Sequence, residues 1–352
     1  MPEVLTTAAA TLKERWEQFK EENPRVRIRE AANQLGVSEA ELLATGLGDD
    51  VIKLEGDWTE LLKSFKELGN VMSLTRNEAC VLEHKGSFEK VSTFGRGNHH
   101  IGTVIGPIET RVFFQNWAFA FASVIRKGSR VLPNIQIFDK AGTAITKVYV
   151  QEDGDLEAYE HIVEKFTSAN QSPNLEISPI DKVEYAEDID QEAFLADWAA
   201  LEDTHDFFPM LRKHKAQREH AVQLAEGKFT RKIANTAVNT ILEKASKSQL
   251  PIMIFAGNHG NLQIHQDVVK KIVPIEREET RWINVMDQKF NLHLRTDLIA
   301  NSYAVEKPTK DGIVTSVELF DENREMIAQF FGLRKPGQTE LTDWKELVAE
   351  LN

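Results

Sequence analysis

The chain repeats itself, and that restricts its fold more than any other feature. "NIQIFDKAGTAITKVYV" (134–150) and "SVELFDENREMIAQFF" (316–331) each read as an alternating strand, a Phe-Asp turn and a second alternating strand, with Phe138 and Phe320 separated by 182 positions. The same offset lays "ETRVFF" (109–114) on "NLHLRT" (291–296), so that Arg111 falls on His293, and nearly the same spacing relates "SFEKV" (87–91) to "DVVKKI" (267–272). Each copy opens with helical patterns, "TLKERWEQFKEEN" and "QEAFLADWAALED", and closes with period-two strands. Helices first and strands after predict an α+β fold with antiparallel sheets rather than parallel βαβ units. The expected organisation is two tandem repeats, each with N-terminal helices and a large antiparallel sheet. The first runs over 1–166, a linker rich in Ser, Asn, Pro and acid over 167–190, and the second over 191–352.

One stretch, "IREAANQLGVSEAELL" (28–43), has the rhythm of a DNA-reading helical hairpin. A recognition helix needs Arg, Lys, Asn or Gln near its start, and here Glu39 and Glu41 stand there instead. With 55 acidic against 42 basic side chains, a formal net charge of -13, the field of the whole chain repels phosphate. A core hairpin holding Leu35, Val37 and Leu42 is the expectation, and no nucleic-acid partner. The more basic stretch 221–245, with Lys228, Arg231 and Lys232, is what keeps a DNA-binding regulator as a third reading. The single cysteine, Cys80, cannot form an intramolecular disulfide and is expected as a small buried hydrophobe. The N-terminal stretch lacks a basic leader, and the longest apolar run, "WAFAFASVI" (117–125), is too short to span a bilayer. A cytoplasmic protein without membrane insertion is expected.

The chain carries no G-x-S-x-G elbow, P-loop, H-E-x-x-H helix or paired-Cys zinc spacing. "FGRGNHHIG" (94–102) is read as a loop between strands, because adjacent histidines on a strand would face opposite ways. "LEDTHDFFPMLRKHKAQREH" (201–220) is different: Thr204 as a helix cap would set His205 in the first turn beside Phe208, with Pro209 complicating the helix. A helix N-terminus disfavours the imidazolium, and neutral imidazole is the form that ligates metal.

"DTHDFFPMLRKH", "TRVFFQNWAFAF" and "VEKPTKDGIVTSVELFDENREMIAQFFGLR" (305–334) resemble segments of the bacterial haemin-degrading factor family, the HemS-type haem-utilisation proteins. The resemblance covers nearly the whole chain, including its two-repeat layout. It implies a pseudo-twofold arrangement with a haem site between the halves. His205 then matches the axial iron ligand, and Arg111 the arginine of the opposite, distal side and the candidate catalytic residue. Phe113, Phe208, Phe255, Gln329 and Phe331 match pocket side chains, and Arg218, Lys307 and Arg334 match cations expected to meet haem carboxylates. Two departures stand out. The first-repeat histidine by which some members hold a second haem is Leu82 here, so that His84, two residues on, is read either as a substitute ligand or as a satisfied or exposed histidine, and a family tyrosine is Phe331.

The function so implied is cytoplasmic binding of imported haem in a bacterial uptake pathway, followed by reductant-dependent, haem oxygenase-like ring cleavage or by iron release. The rival reading is a non-catalytic carrier that passes haem to other proteins. The electron donor stays open among a reductase with NADPH, ascorbate and a direct nicotinamide route. The partners implied are haem, a reductase and the cytoplasmic side of a haem importer.

Overall fold

The computed structural model describes residues 11–97, 100–128, 130–335 and 337–352. In the first half its elements run α1 (Leu12–Glu22), α2 (Ile28–Leu35), α3 (Glu39–Ala44), β1 (Val51–Leu54), α4 (Trp58–Ser64), β2 (Gly69–Arg76), β3 (Cys80–Gly86), β4 (Lys90–Phe94), β5 (Ile101–Ile105), β6 (Thr110–Phe113), β7 (Phe119–Lys127), β8 (Arg130–Phe138), β9 (Ala144–Gly154) and α5 (Leu156–Phe166). In the second half they run α6 (Gln191–Ala199), α7 (Phe207–Lys213), α8 (Arg218–Leu224), β10 (Thr230–Ile233), α9 (Ala237–Ser248), β11 (Ile252–Gly257), β12 (Asn261–Asp267), β13 (Ile272–Glu276), β14 (Arg281–Met286), β15 (Phe290–Arg295), β16 (Asn301–Thr309), β17 (Gly312–Phe320), β18 (Met326–Gly332) and α10 (Thr342–Ala349). Three helices, a strand, a helix, eight strands and a helix therefore occur twice among the described residues.

The duplication extends to turn chemistry. Asp139 Oδ1 accepts from the amides of Ala141 and Thr143, and Asp321 Oδ1 accepts from those of Asn323 and Glu325. The Phe-Asp signature is thus a side-chain-capped turn in both copies. The left-handed residue of that turn is Gly142 (φ 75°) in one copy and Arg324 (φ 64°) in the other. The ladder slips at Ile137/Phe138 and again at Leu319/Phe320.

By contacts the chain divides into two units, one gathering residues up to 72, 91–102 and 113–180, the other 73–90, 103–112 and 181–352. In the first, β1, β7, β8 and β9 form an antiparallel ladder. Its α2–α3 hairpin is closed by Gly36 in the left-handed region and by a Ser38–Glu41 capping box, and it buries Ala31, Ala32 and Leu42 with Leu35 and Val37 alongside. This is the core hairpin that the sequence predicts. The start of the linker lies along β1, where Ser168 N donates to Lys53 O at 2.9 Å and the Gln171 amide brackets the Lys53 backbone.

In the second unit one antiparallel ladder runs β10-β16-β17-β18-β11-β12-β6 and another β3-β15-β14-β13. Strands β3 and β6 come from the first half of the sequence, so within this unit the two halves interleave. One face of the longer ladder packs Ile252, Ile254, Val317, Leu319, Ala328 and Phe330 with α9 and α10. The other meets α6, α7 and α8 through Trp198, Phe207, Tyr303, Val305 and Phe320. The basic stretch 221–245 is not a helical hairpin, because β10 separates α8 from α9 and the Arg231 guanidinium is spent on the Val348 and Leu351 carbonyls. Cys80 is fully buried, and no helix among the described residues is long and apolar enough to cross a membrane.

Candidate functional site

His205 sits in a single 3-10 turn, Thr204–Asp206, immediately before α7. The cap of that turn is Asp203 rather than Thr204: its extended backbone lets Oδ1 accept from the His205 amide at 2.9 Å. The same oxygen meets His205 Nδ1 at 2.6 Å. These bonds, the amide first, hold the Asp203 carboxyl below its usual range. The imidazole is otherwise out in solvent, its side chain 94% exposed. An imidazole whose Nδ1–H is held by a carboxylate has its lone pair at Nε2, the arrangement that suits a metal ligand. Pro209 is the third residue of α7, within the first turn, where amides have no intrahelical partner to lose.

The two phenylalanines at the start of α7 part company. Phe207 is buried, edge-on to Trp198 at 4.7 Å between ring centroids, whereas Phe208 is 59% exposed beneath the Arg212 guanidinium. Trp198 Nε1 donates to Glu306 O at 2.9 Å, which anchors α6 to β16.

Most of the remaining candidates converge on one face of the β16–β17–β18–β11 ladder. Glu318 lies opposite Gln329 on β18, Gln329 opposite Phe255 on β11, and Ser316 opposite Phe331. The Phe255 and Phe331 rings meet edge-on at 5.3 Å, both half-buried. Lys307 on β16 is buried: Nζ donates to Glu318 Oε1 at 2.7 Å and Ser316 Oγ at 3.1 Å. Arg218, first residue of α8, grips Glu318 with two bonds of 2.8 Å. Phe207 lies beneath both cations, 4.9 Å from the Arg218 guanidinium and 4.7 Å from Lys307 Nζ. Burial pushes the lysine's pKa down while the Glu318 charge opposes that fall. Glu318 is itself held well below the usual carboxylate range, because Arg218 and Lys307 outweigh the desolvation that would raise it. Arg334 approaches Asp311 at 4.0 Å.

Arg111 lies on β6, opposite Leu262 of β12. Its guanidinium reaches Glu109 Oε1 at 3.1 Å and the carbonyls of Val104 and Thr110, and its side chain keeps 32% exposure. Phe113, half-buried, ends the same strand. His84 is no ligand for a first-repeat site: it and Leu82 are buried, and His84 Nε2 faces His265 Nδ1 at 3.3 Å. In "FGRGNHHIG", His99 lies outside the described residues, and His100 packs on Phe114 at 4.9 Å.

Sequence reasoning missed Asp203, Phe207 and Glu318. Asp203 was legible as a cap one residue early, whereas a glutamate alternating with apolar residues on a strand looks solvated until the fold surrounds it. Among the described residues, no group of three or more His, Cys, Asp or Glu side chains is arranged to hold a bare metal ion. A lone open imidazole fits instead an iron that arrives with its own equatorial ligands.

Comparison with known proteins gives the same direction. A model of the haemin-degrading HemS.ChuX domain matches twice, over residues 36–166 and 215–351. The chain is 36% identical over 342 residues to the hemin transport protein HemS of Yersinia enterocolitica, covering 96% of each. It superposes on holo-PhuS, a heme-binding protein from Pseudomonas aeruginosa, with TM-score 0.92 and 40% identity, over 98% of this chain and 99% of that one. On ChuS, the heme degrading enzyme of Escherichia coli O157:H7, the TM-score is 0.88 at 32% identity, over 97% and 98% of the two chains.

Proposed function

This chain belongs to the haemin-degrading HemS/ChuX domain family, and we propose that it binds haem, iron protoporphyrin IX, during bacterial haem uptake in the cytoplasm. In this reading the haem is either opened to release its iron or passed on. The observation that carries the reading is His205: an imidazole 94% exposed, with Nδ1 held 2.6 Å from Asp203. Asp203 fixes the proton at Nδ1 and the ring's direction, so Nε2 is the iron ligand and needs no reorganisation to bind. When bound, haem supplies the redox chemistry, and the protein's share is orientation, charge and exclusion of water.

Arg111 serves the distal face. A guanidinium stays charged and donates only, so it can orient an oxygen-containing ligand but cannot compete with His205 for iron. Glu109 and two carbonyls restrain it while leaving part of its fork open. Phe113, Phe208, Phe255 and Phe331 offer aromatic surface to an apolar plate, with Phe208 exposed beside His205. Arg218, Lys307, Gln329 and Arg334 supply donors for the haem carboxylates, which a chain of net charge -13 must concentrate locally. A reductase and the cytoplasmic side of a haem importer are the proposed protein partners.

Degradation and carriage separate in one experiment. Haemin-loaded protein is given NADPH with a reductase, or ascorbate, while the Soret band and chelated ferrous iron are followed. Parallel Soret loss and iron release that fail in Arg111→Ala support ring opening. A persistent Soret band that moves to an added apo-haem protein supports the carrier.

A further inference from the structure

The Glu318 carboxylate is bonded by three of the candidate haem residues, Arg218, Lys307 and Gln329, and was not among them. It is fully buried and receives five hydrogen bonds. Arg218 Nε donates to Oε2 at 2.8 Å; Arg218 Nη2, Lys307 Nζ, Gln329 Nε2 and Ser316 Oγ all donate to Oε1, at 2.8, 2.7, 2.9 and 3.0 Å. A carboxylate oxygen has about two lone-pair directions. Four donors on Oε1 exceed what it can satisfy well, so donor capacity is left for another acceptor. Charge is left as well: two cations face one anion, with the Phe207 ring against both and Phe331 within 5.8 Å of Lys307 Nζ.

The first repeat serves as an internal control. At the 182-residue offset Glu318 corresponds to Gln136, Lys307 to Ile125, Gln329 to Lys147 and Phe331 to Tyr149. The first residue of α3 is Glu39, where α8 begins with Arg218, and Glu39 is paired with Lys147. One cation there meets one anion, and Gln136 spends its amide on Ser123 and Asn134. At these aligned positions, the spare positive charge and surplus donors occur in the second repeat and not in the first.

We propose that Glu318 is a positioning residue for haem carboxylates: it gathers Arg218, Lys307 and Gln329 around one oxygen and yields the surplus donors to a propionate. This rests on the haem reading above. Glu318 does not touch haem in this account; it keeps buried donors ordered and charged until a second carboxylate arrives.

The test titrates the full chain with haemin and with haemin dimethyl ester, whose carboxylates are blocked, and follows the Soret band. Wild type is expected to bind haemin more tightly than the ester. Glu318→Gln should lose about tenfold or more in haemin affinity, the range expected for a charge-assisted hydrogen bond, while its affinity for the ester and its His205-dependent bands stay near those of wild type. Glu318→Asp keeps the charge but retracts the carboxylate by one methylene, and should show a smaller loss with the same ligand dependence. Equal losses on both porphyrins, or no loss, would mean that the cluster is only structural. If neither variant folds, wild type still decides: equal affinity for the two porphyrins overturns the proposal. A wild type that binds neither porphyrin overturns the haem reading itself.

Discussion

Acid should unfold this protein through two buried histidines. His84 and His265 lie in the core of the second unit, with Phe290 stacked on the His265 ring at 3.6 Å. Gln263 Nε2 donates to His84 Nδ1 at 2.7 Å, so His84 carries its proton on Nε2 and donates it to His265 Nδ1 at 3.3 Å. Burial pushes both imidazoles down to about 3. Below the ordinary value of about 6.5 the unfolded chain takes up two protons that the folded chain refuses, so stability is full above that pH and is lost as pH falls towards 3. The limiting slope is about 1.4 kcal/mol per pH unit for each histidine, or about 4 kcal/mol for the pair between pH 7.5 and 5. That is a large part of a typical domain's stability of about 5–15 kcal/mol. The comparison is wild type against the double variant His84→Leu, His265→Leu, in which the Gln263 amide keeps the Ser73 carbonyl at 3.1 Å. Urea midpoints measured from pH 7.5 to 5 should fall steeply in wild type and much less in the variant. Parallel pH profiles, or a ring proton of either histidine titrating near pH 6.5 in the folded protein, would refute the reasoning.

Asp203→Asn should keep the turn, since an amide oxygen can still cap it, but should weaken the charge behind His205. Haemin affinity is expected to drop about tenfold or more, and the iron–histidine stretch in the Raman spectrum of the ferrous complex to move down; an unchanged stretch would show that Asp203 only caps the turn. Burial pushes the Cys80 thiol up to about 12, so at pH 8 it should ignore an aromatic disulfide reagent in the folded protein and react promptly in guanidinium; fast labelling of the native chain would contradict its placement.

How far the sequence speaks depends on the range of the interaction. The repeat was legible because its signals are local: alternation before Phe138 and Phe320, and an aspartate that caps the following turn in each copy. The hairpin at 28–43 was legible because Ser38 and Glu41 close a capping box within four residues. The interleaving of β3 and β6 with strands of the second half was not, because pairing Leu82 with Leu292 or Arg111 with Leu262 depends on contacts that no local pattern encodes. Arg218 and Glu318 lie 100 positions apart, and each alone reads as a surface charge. His84 stood in an inward position of a strand whose burial pattern admits it only because His265 and Gln263 supply its partners. His205 was found through resemblance; its openness and its carboxylate partner are what the fold added.

The central claim is that His205 is the iron ligand, and a haemin titration of wild type and His205→Ala, followed through the Soret and visible bands, tests it most directly. The account predicts saturation near one haem per chain in wild type, and a variant that binds more weakly with its ligand-field bands lost or shifted. Identical spectra and affinity in the two proteins would contradict it.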